Sequence, residues 1–160
     1  MPFEDSPQAG EGPRDCGTFF LDVVGKYAPG QIILQWSDRV RSTNDQVDQL
    51  IEQTWKAETA RTGSAGQKLF NGKLCRLLQC TATKEKMTLT VGAVSYREFL
   101  GTNLRSAYIR YVYGPEVLAD PLGVSAAVVA GDGFLVLGRR SRHVVCHPGR
   151  IHPIGGMVEP

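Results

Sequence analysis

The sequence predicts an α+β fold, and three observations carry that prediction. One stretch, Asn44 to Arg61, repeats its apolar residues at helical intervals. Several other runs are short, apolar and β-branched, and are closed by Pro-Gly or Asn-Gly signals. Near the end, Gly131-Asp132-Gly133 separates two apolar runs as a hairpin turn would. Helical period in one place and short strand-like runs elsewhere describe helices packed on sheets rather than a bundle or an all-β barrel.

Taken in order, residues 1–17 hold Pro2, Pro7, Gly10, Gly12 and Pro13 with few apolar side chains, and are expected to form a mobile tail. Phe19 to Tyr27 and Gln31 to Trp36 are candidate strands on either side of Pro29-Gly30. Thr43 is the candidate N-cap of the helix, with Gln46 at capping-box spacing. Val47, Leu50, Ile51 and Trp55 form its apolar face, which is expected to pack in the core, and Gly63 is placed to end it. Leu74 to Gln79 and Met87 to Val94 are the next strands, with Ala82 to Lys86 short enough to join them as a hairpin. Ser95 to Asn103, SYREFLGTN, follows where a strand should end. A strand-to-helix corner there would have Ser95 as cap, Phe99 and Leu100 inward and Gly101 as the stop. Ser106 to Gly114 fits a helix or a strand. Asp120-Pro121 breaks the chain, Val124 to Ala130 suits a buried strand, and Phe134 to Gly138 returns antiparallel to it. The organisation expected is a tail over 1–17, an α+β domain over 18–118, and a second unit starting at 119.

Composition excludes several classes. Hydrophobic residues at 42% and charged residues at 21% are ordinary for a globular domain, so wholesale disorder is not expected. A net charge of +2 is too small to argue for a nucleic-acid or anionic-membrane partner. No apolar run approaches the roughly 20 residues that span a bilayer. Four cysteines without a CxxC pair and without a secretion signal read as free thiols of a reducing compartment. A soluble cytoplasmic protein is the expectation.

Four groups of residues could do chemistry. His143, Cys146, His147 and His152 are zinc-type ligands, but they lack the paired spacings of a structural site. Arg139 and Arg140 end a strand, where adjacent side chains face opposite ways, so only one can clamp a phosphate at a given site. Gly155-Gly156 followed by Glu159 suits a turn where backbone and carboxylate meet a ligand or Mg²⁺. In SYREFLGTN, Tyr96 or Phe99 could stack on a flat ring, Arg97 could hold an anion, and Thr102 and Asn103 could read hydrogen-bonding edges.

A hairpin ending in Arg139-Arg140, a loop, a short strand and then GGMVEP resembles the opening of the Nudix hydrolase signature. SYREFLGTN followed by VLADPLGVSAAVV and FLVLGRRSR resembles the UDP-glucose/UDP-galactose diphosphatase branch, which carries an additional N-terminal domain. The resemblance implies an α/β/α sandwich of Nudix type, of which 119–160 would be the N-terminal part. It implies Mg²⁺-dependent cleavage of a UDP-sugar to UMP and a sugar 1-phosphate. Tyr96, Arg97, Thr102, Asn103, Asp120, Arg139 and Arg140 would then contact the nucleotide sugar, with Gly155, Gly156 and Glu159 near the metal. The family's glutamate-rich helix follows the glycines and would lie beyond Pro160. No catalytic residue is therefore expected within these 160 residues, and the chain as it stands is expected to be inactive. The alternatives are a catalytically dead nucleotide-binding or interaction module and a plain α+β scaffold.

Overall fold

A computed structural model describes residues 14–15, 20–66, 68–106 and 108–160. The expected tail lies outside the described residues, apart from Arg14–Asp15. That pair forms β1 and is antiparallel to β2, Phe20–Leu21. The remaining elements are β3 (Ile32–Trp36), α1 (Asp45–Ser64), β4 (Lys73–Ala82), β5 (Met87–Ser95) and α2 (Tyr96–Phe99), the last continued by a π-helical turn over Leu100–Leu104. After them come α3 (Ile109–Tyr113), β6 (Gly123–Ala126), β7 (Val128–Val129), β8 (Leu135–Arg139) and β9 (Ile151–Met157). Helices and sheets are mixed along the chain, as an α+β fold requires. Among the described residues, no helix is long and apolar enough to cross a membrane.

The chain divides into two compact units, and the division falls within β4 and β5. The first takes the residues up to Asp38 together with Leu77–Gly92. Here β3 runs parallel to β5, with Ile32 opposite Met87 and Trp36 opposite Val91, in a three-stranded sheet of order β3-β5-β4. The turn between β4 and β5 closes through Thr83 N–H to the Lys86 carbonyl at 2.8 Å. Tyr27 and Gln31 brace it by donating to the carbonyls of Thr83 and Glu85.

The second unit takes Arg39–Arg76 and Ala93–Pro160. Its helix α1 is capped by Asn44, whose Oδ1 accepts the Val47 N–H at 3.0 Å, and not by Thr43 as expected. Thr43 spends its hydroxyl on the Asp48 carboxylate instead. Gly63 lies inside the last turn, and the helix stops one residue later at Ser64, before Gly66 at φ +70°. Val47 and Ile51 are buried with Ile109, Val117 and Leu118, and Leu50 and Tyr113 pack against them. A second cluster gathers Leu74, Val94 and Ala119 with Tyr96, Phe99 and Met157. Each fully buried aliphatic side chain contributes about 1.5–3 kcal/mol.

The four-stranded sheet has the order β6-β9-β8-β7, all neighbours antiparallel. Its hairpin turn at 131–133 forms as the Gly-Asp-Gly sequence predicts, with Val129 opposite Leu135. Two expectations fail here. The run Val124 to Ala130 is not buried: Val124 is 58% and Val129 63% exposed, because no described element lies across those side chains. Gly155 and Gly156 are not a turn but interior residues of β9, opposite Ser125 and Val124. Three backbone bonds link β4, Leu122 and the residue after β9: Cys75 N–H to Val158 O, Leu122 N–H to Cys75 O, and Val158 N–H to Leu122 O, at 2.7–2.8 Å.

Candidate functional site

The segment SYREFLGTN begins as a capped helical turn. The Glu98 carboxylate accepts from both the N–H and the hydroxyl of Ser95, and Ser95 Oγ accepts the Glu98 N–H. Glu98 is itself gripped by Arg41, a buried guanidinium that also donates to the carbonyls of Ser42 and Val117. Tyr96 is thereby fixed half-buried, its ring 5.9 Å from that of Phe99. Burial pushes the Tyr96 hydroxyl above its ordinary value, so at neutral pH it is a neutral donor. Gly101 does not stop the helix. A side chain there would press on Ile51 of α1, so the glycine permits close packing and the helical backbone runs on to Leu104.

Thr102 and Asn103 are used inward. Thr102 is fully buried; its hydroxyl donates to the Glu98 carbonyl and accepts the Ala119 N–H. Asn103 accepts from the N–H groups of Ala119 and Asp120, and its amide donates to the Asp120 carboxylate at 2.7 Å. This network holds Asp120 at φ +41°, a left-handed conformation that Asp tolerates when a side chain bonds it locally. Thr102, Asn103 and Asp120 thus come together as a clamp on the turn before β6. Arg97 stands apart, paired with Glu52 at 3.0 Å.

Four of the predicted residues converge elsewhere. Tyr96, Arg140, Gly155 and Gly156 line one cavity of about 630 Å³, with Lys68, Phe70, Ser125, His143, Cys146 and His152 among its other walls. Strand alternation separates the arginine pair: Arg139 donates to the Gly149 carbonyl at 3.2 Å, whereas Arg140 lines the cavity. The Arg140 Nε is buried without a hydrogen-bond partner among the described residues. A buried guanidinium N–H left unpaired is costly, and an anion in the cavity would satisfy it. Lys68 and Ser125 were not anticipated, and His152 was named only as a zinc-type ligand, since the three come from separate segments with no common spacing. Period-two alternation along β9 would have tied His152 to one face with Ile154 and Gly156.

Few oxygens at the cavity could serve Mg²⁺. Glu159 is exposed, and it does not line the cavity. Among the described residues, no three His, Cys, Asp or Glu side chains gather as metal ligands. Mg²⁺ usually keeps several waters and binds through one or two carboxylates plus substrate phosphates, and no carboxylate lines this cavity, so its described walls do not by themselves fit the ion. The absence of such a group applies equally to the His143, Cys146, His147 and His152 set.

No protein-family profile matches the chain. Curated proteins do. The chain is 45% identical over 83 residues to the Homo sapiens protein named uridine diphosphate glucose pyrophosphatase NUDT22, a match covering 47% of this chain and 27% of that protein. The Bos taurus protein of the same name is 39% identical over 105 residues, covering 58% and 36%. Nudix hydrolase 9 of Arabidopsis thaliana is 29% identical over 154 residues, which is 88% of this chain and 50% of that protein. The chain is thus similar in sequence to curated proteins that carry Nudix names. It spans half or less of the length of the curated relatives it matches. The similarity extends over most of the chain in the Arabidopsis thaliana case.

Proposed function

We propose that this chain contributes the nucleotide-gripping part of a Nudix-type UDP-sugar diphosphatase, with 18–118 as the preceding domain and 119–160 as the N-terminal part of the hydrolase domain. The observation that carries the proposal is the convergence of Tyr96, the unpaired Arg140 Nε and the Gly155–Gly156 backbone on one cavity. Its volume is within the ordinary range for small-molecule sites, about 300–1,000 Å³. Arg140 would clamp the diphosphate, Tyr96 would lie against the base or ribose, and the side-chain-free strand would let the ligand approach the backbone. Thr102, Asn103 and Asp120 act by holding the turn that leads into the cavity wall, and Arg97 by steadying α2. In the whole protein a water oxygen bonds to phosphorus as the bridging P–O bond breaks, giving UMP and sugar 1-phosphate. We assign Mg²⁺ to that whole-protein reaction; the described residues of this chain do not by themselves hold it. A cytoplasmic setting with a nucleotide-sugar substrate, and no nucleic-acid or membrane partner, completes the proposal.

Calorimetry of the 160-residue chain with UDP and UDP-glucose tests it. Removing one charge-assisted hydrogen-bonding group is worth about 1.5–3 kcal/mol. Arg140→Ala should therefore weaken UDP binding roughly 10- to 100-fold, while Arg139→Ala stays near the parent. An absence of heat at millimolar UDP, or equal losses at the two arginines, overturns the assignment. With a single described carboxylate on offer, the same chain with Mg²⁺ should hydrolyse UDP-glucose no faster than its Glu159→Gln variant.

A further inference from the structure

A second cavity, about 490 Å³, lies in the same unit and shares Val144 and Val145 with the first. Its polar walls are Arg61, Arg105, Arg142, Arg150 and His147. These cations arrive from three places: the last turn of α1, the end of the π-helical turn, and the loop between β8 and β9. None of the described lining residues is acidic. Glu58 alone offsets them, and it is shared between Arg61 at 2.7 Å and Arg105 at 3.0 Å. Burial would push the Glu58 carboxyl up, but hydrogen bonds and charge from the two arginines outweigh it and hold it below the usual carboxylate value. Arg142 and Arg150 have no such partner among the described residues.

The loop is built to present them. Arg140 N–H bonds the Arg150 carbonyl at 2.9 Å, and the Arg139 guanidinium holds the Gly149 carbonyl. His147 sits at φ +49°, a left-handed conformation uncommon for a residue other than glycine. Four guanidiniums around one concavity repel one another, and the arrangement is relieved by an anion that several can fork at once.

We infer that this cavity is an anion site for a phosphate compound carrying two or more negative charges, separate from the Tyr96–Arg140 cavity. Guanidinium forks match phosphate oxygens in pairs, so a diphosphate engages more of them than a monovalent anion does.

Inorganic pyrophosphate is the probe, used without nucleotide on the 160-residue chain and on its Arg140→Ala variant, which removes the anion-binding group of the first cavity. Arginines are modified with a dicarbonyl reagent and mapped by peptide mass spectrometry. Pyrophosphate should protect Arg142 and Arg150 and leave the exposed Arg110 of α3 reactive. Calorimetry with the Arg142→Ala/Arg150→Ala variant should show pyrophosphate affinity at least roughly tenfold weaker, with UDP affinity retained. Equal protection of Arg110, protection confined to Arg140, or an unchanged pyrophosphate affinity in the variant overturns the inference. Because the protection map is made on the parent chain, a poorly folded variant does not decide it. If UDP fails to bind while Arg142 and Arg150 are still protected, the nucleotide proposal falls and this one stands.

Discussion

Replacing Gly101 with alanine tests the packing that sets Tyr96 in place. The backbone at Gly101 is helical, so alanine alone would stabilise it by about 0.5–1 kcal/mol. Its Cβ, however, would stand 2.8 Å from Ile51 Cα, 2.9 Å from Cγ1 and 3.1 Å from Cβ. Ile51 is 3% exposed and locked among Val47 and Ile109, and a helix backbone cannot swing aside as a side-chain tip can. Overpacking of one methyl group costs about 1–3 kcal/mol, and contact with backbone places this case at the upper end. The net expectation is a loss of about 1–2 kcal/mol, the difference between those two terms. Gly63→Ala is the control: it is the same chemical change, inside α1, with nothing within 4 Å of the new Cβ. It should be neutral or slightly stabilising. Urea unfolding followed by Trp55 fluorescence in a Trp36→Phe background reads the unit that contains both glycines. With m of about 2 kcal/mol/M, Gly101→Ala should lower the midpoint by about 0.5–1 M. A midpoint at or above the parent's would refute the close-approach argument.

Two further predictions concern charge. Arg41→Met should cost about 2–3 kcal/mol, somewhat below the usual cost of breaking a buried pair because Glu98 keeps some water contact; urea unfolding measures it, and a loss under about 0.5 kcal/mol would sink the role given to Arg41. Glu58 has a depressed folded-state value, so its contribution to stability is present above the ordinary carboxylate value and is lost as pH falls through the folded one. Glu58→Gln should flatten the acid limb of a stability–pH curve over that window, and an unchanged limb would show that the Arg61–Glu58–Arg105 pairing does not stabilise the fold.

Local features were legible in the sequence and non-local ones were not. The helix at 44–61 could be read because Val47, Leu50, Ile51 and Trp55 encode a face within a few residues of one another. Its cap was misplaced by one residue because Thr43 and Asn44 are both competent, and Asp48 decides between them by taking the Thr43 hydroxyl. Gly101 reads locally as a stop; its reason is Ile51, fifty positions earlier, which no spacing reveals. Val124 to Ala130 has the composition of a buried strand, but burial belongs to neighbours rather than to composition. The Thr102–Asn103 pair shows the same limit: hydrogen-bonding groups suited to a ligand are equally suited to the backbone of Ala119 and Asp120, and here the backbone takes them.

The glycine pair sharpens what the strand near the end of the chain contributes. A turn would make both glycines conformational necessities, yet neither has positive φ and each faces a paired residue across β9 and β6. Their reasons differ. A Cβ at Gly155 would collide with the Val124 carbonyl and come within 2.9 Å of Ser125, so this glycine lets two backbones close on each other. A Cβ at Gly156 would meet nothing within 4 Å, and Gly156 lines the cavity, so that position keeps space open rather than relieving strain. The same division holds one strand away, where Arg139 secures the loop and Arg140 lines the cavity wall. Gly155 and Arg139 thus hold neighbouring backbone in place, while Gly156 and Arg140 keep space and a guanidinium at the cavity wall, which Gly155 also borders. That arrangement follows from the period-two geometry of a strand whose two faces do different work.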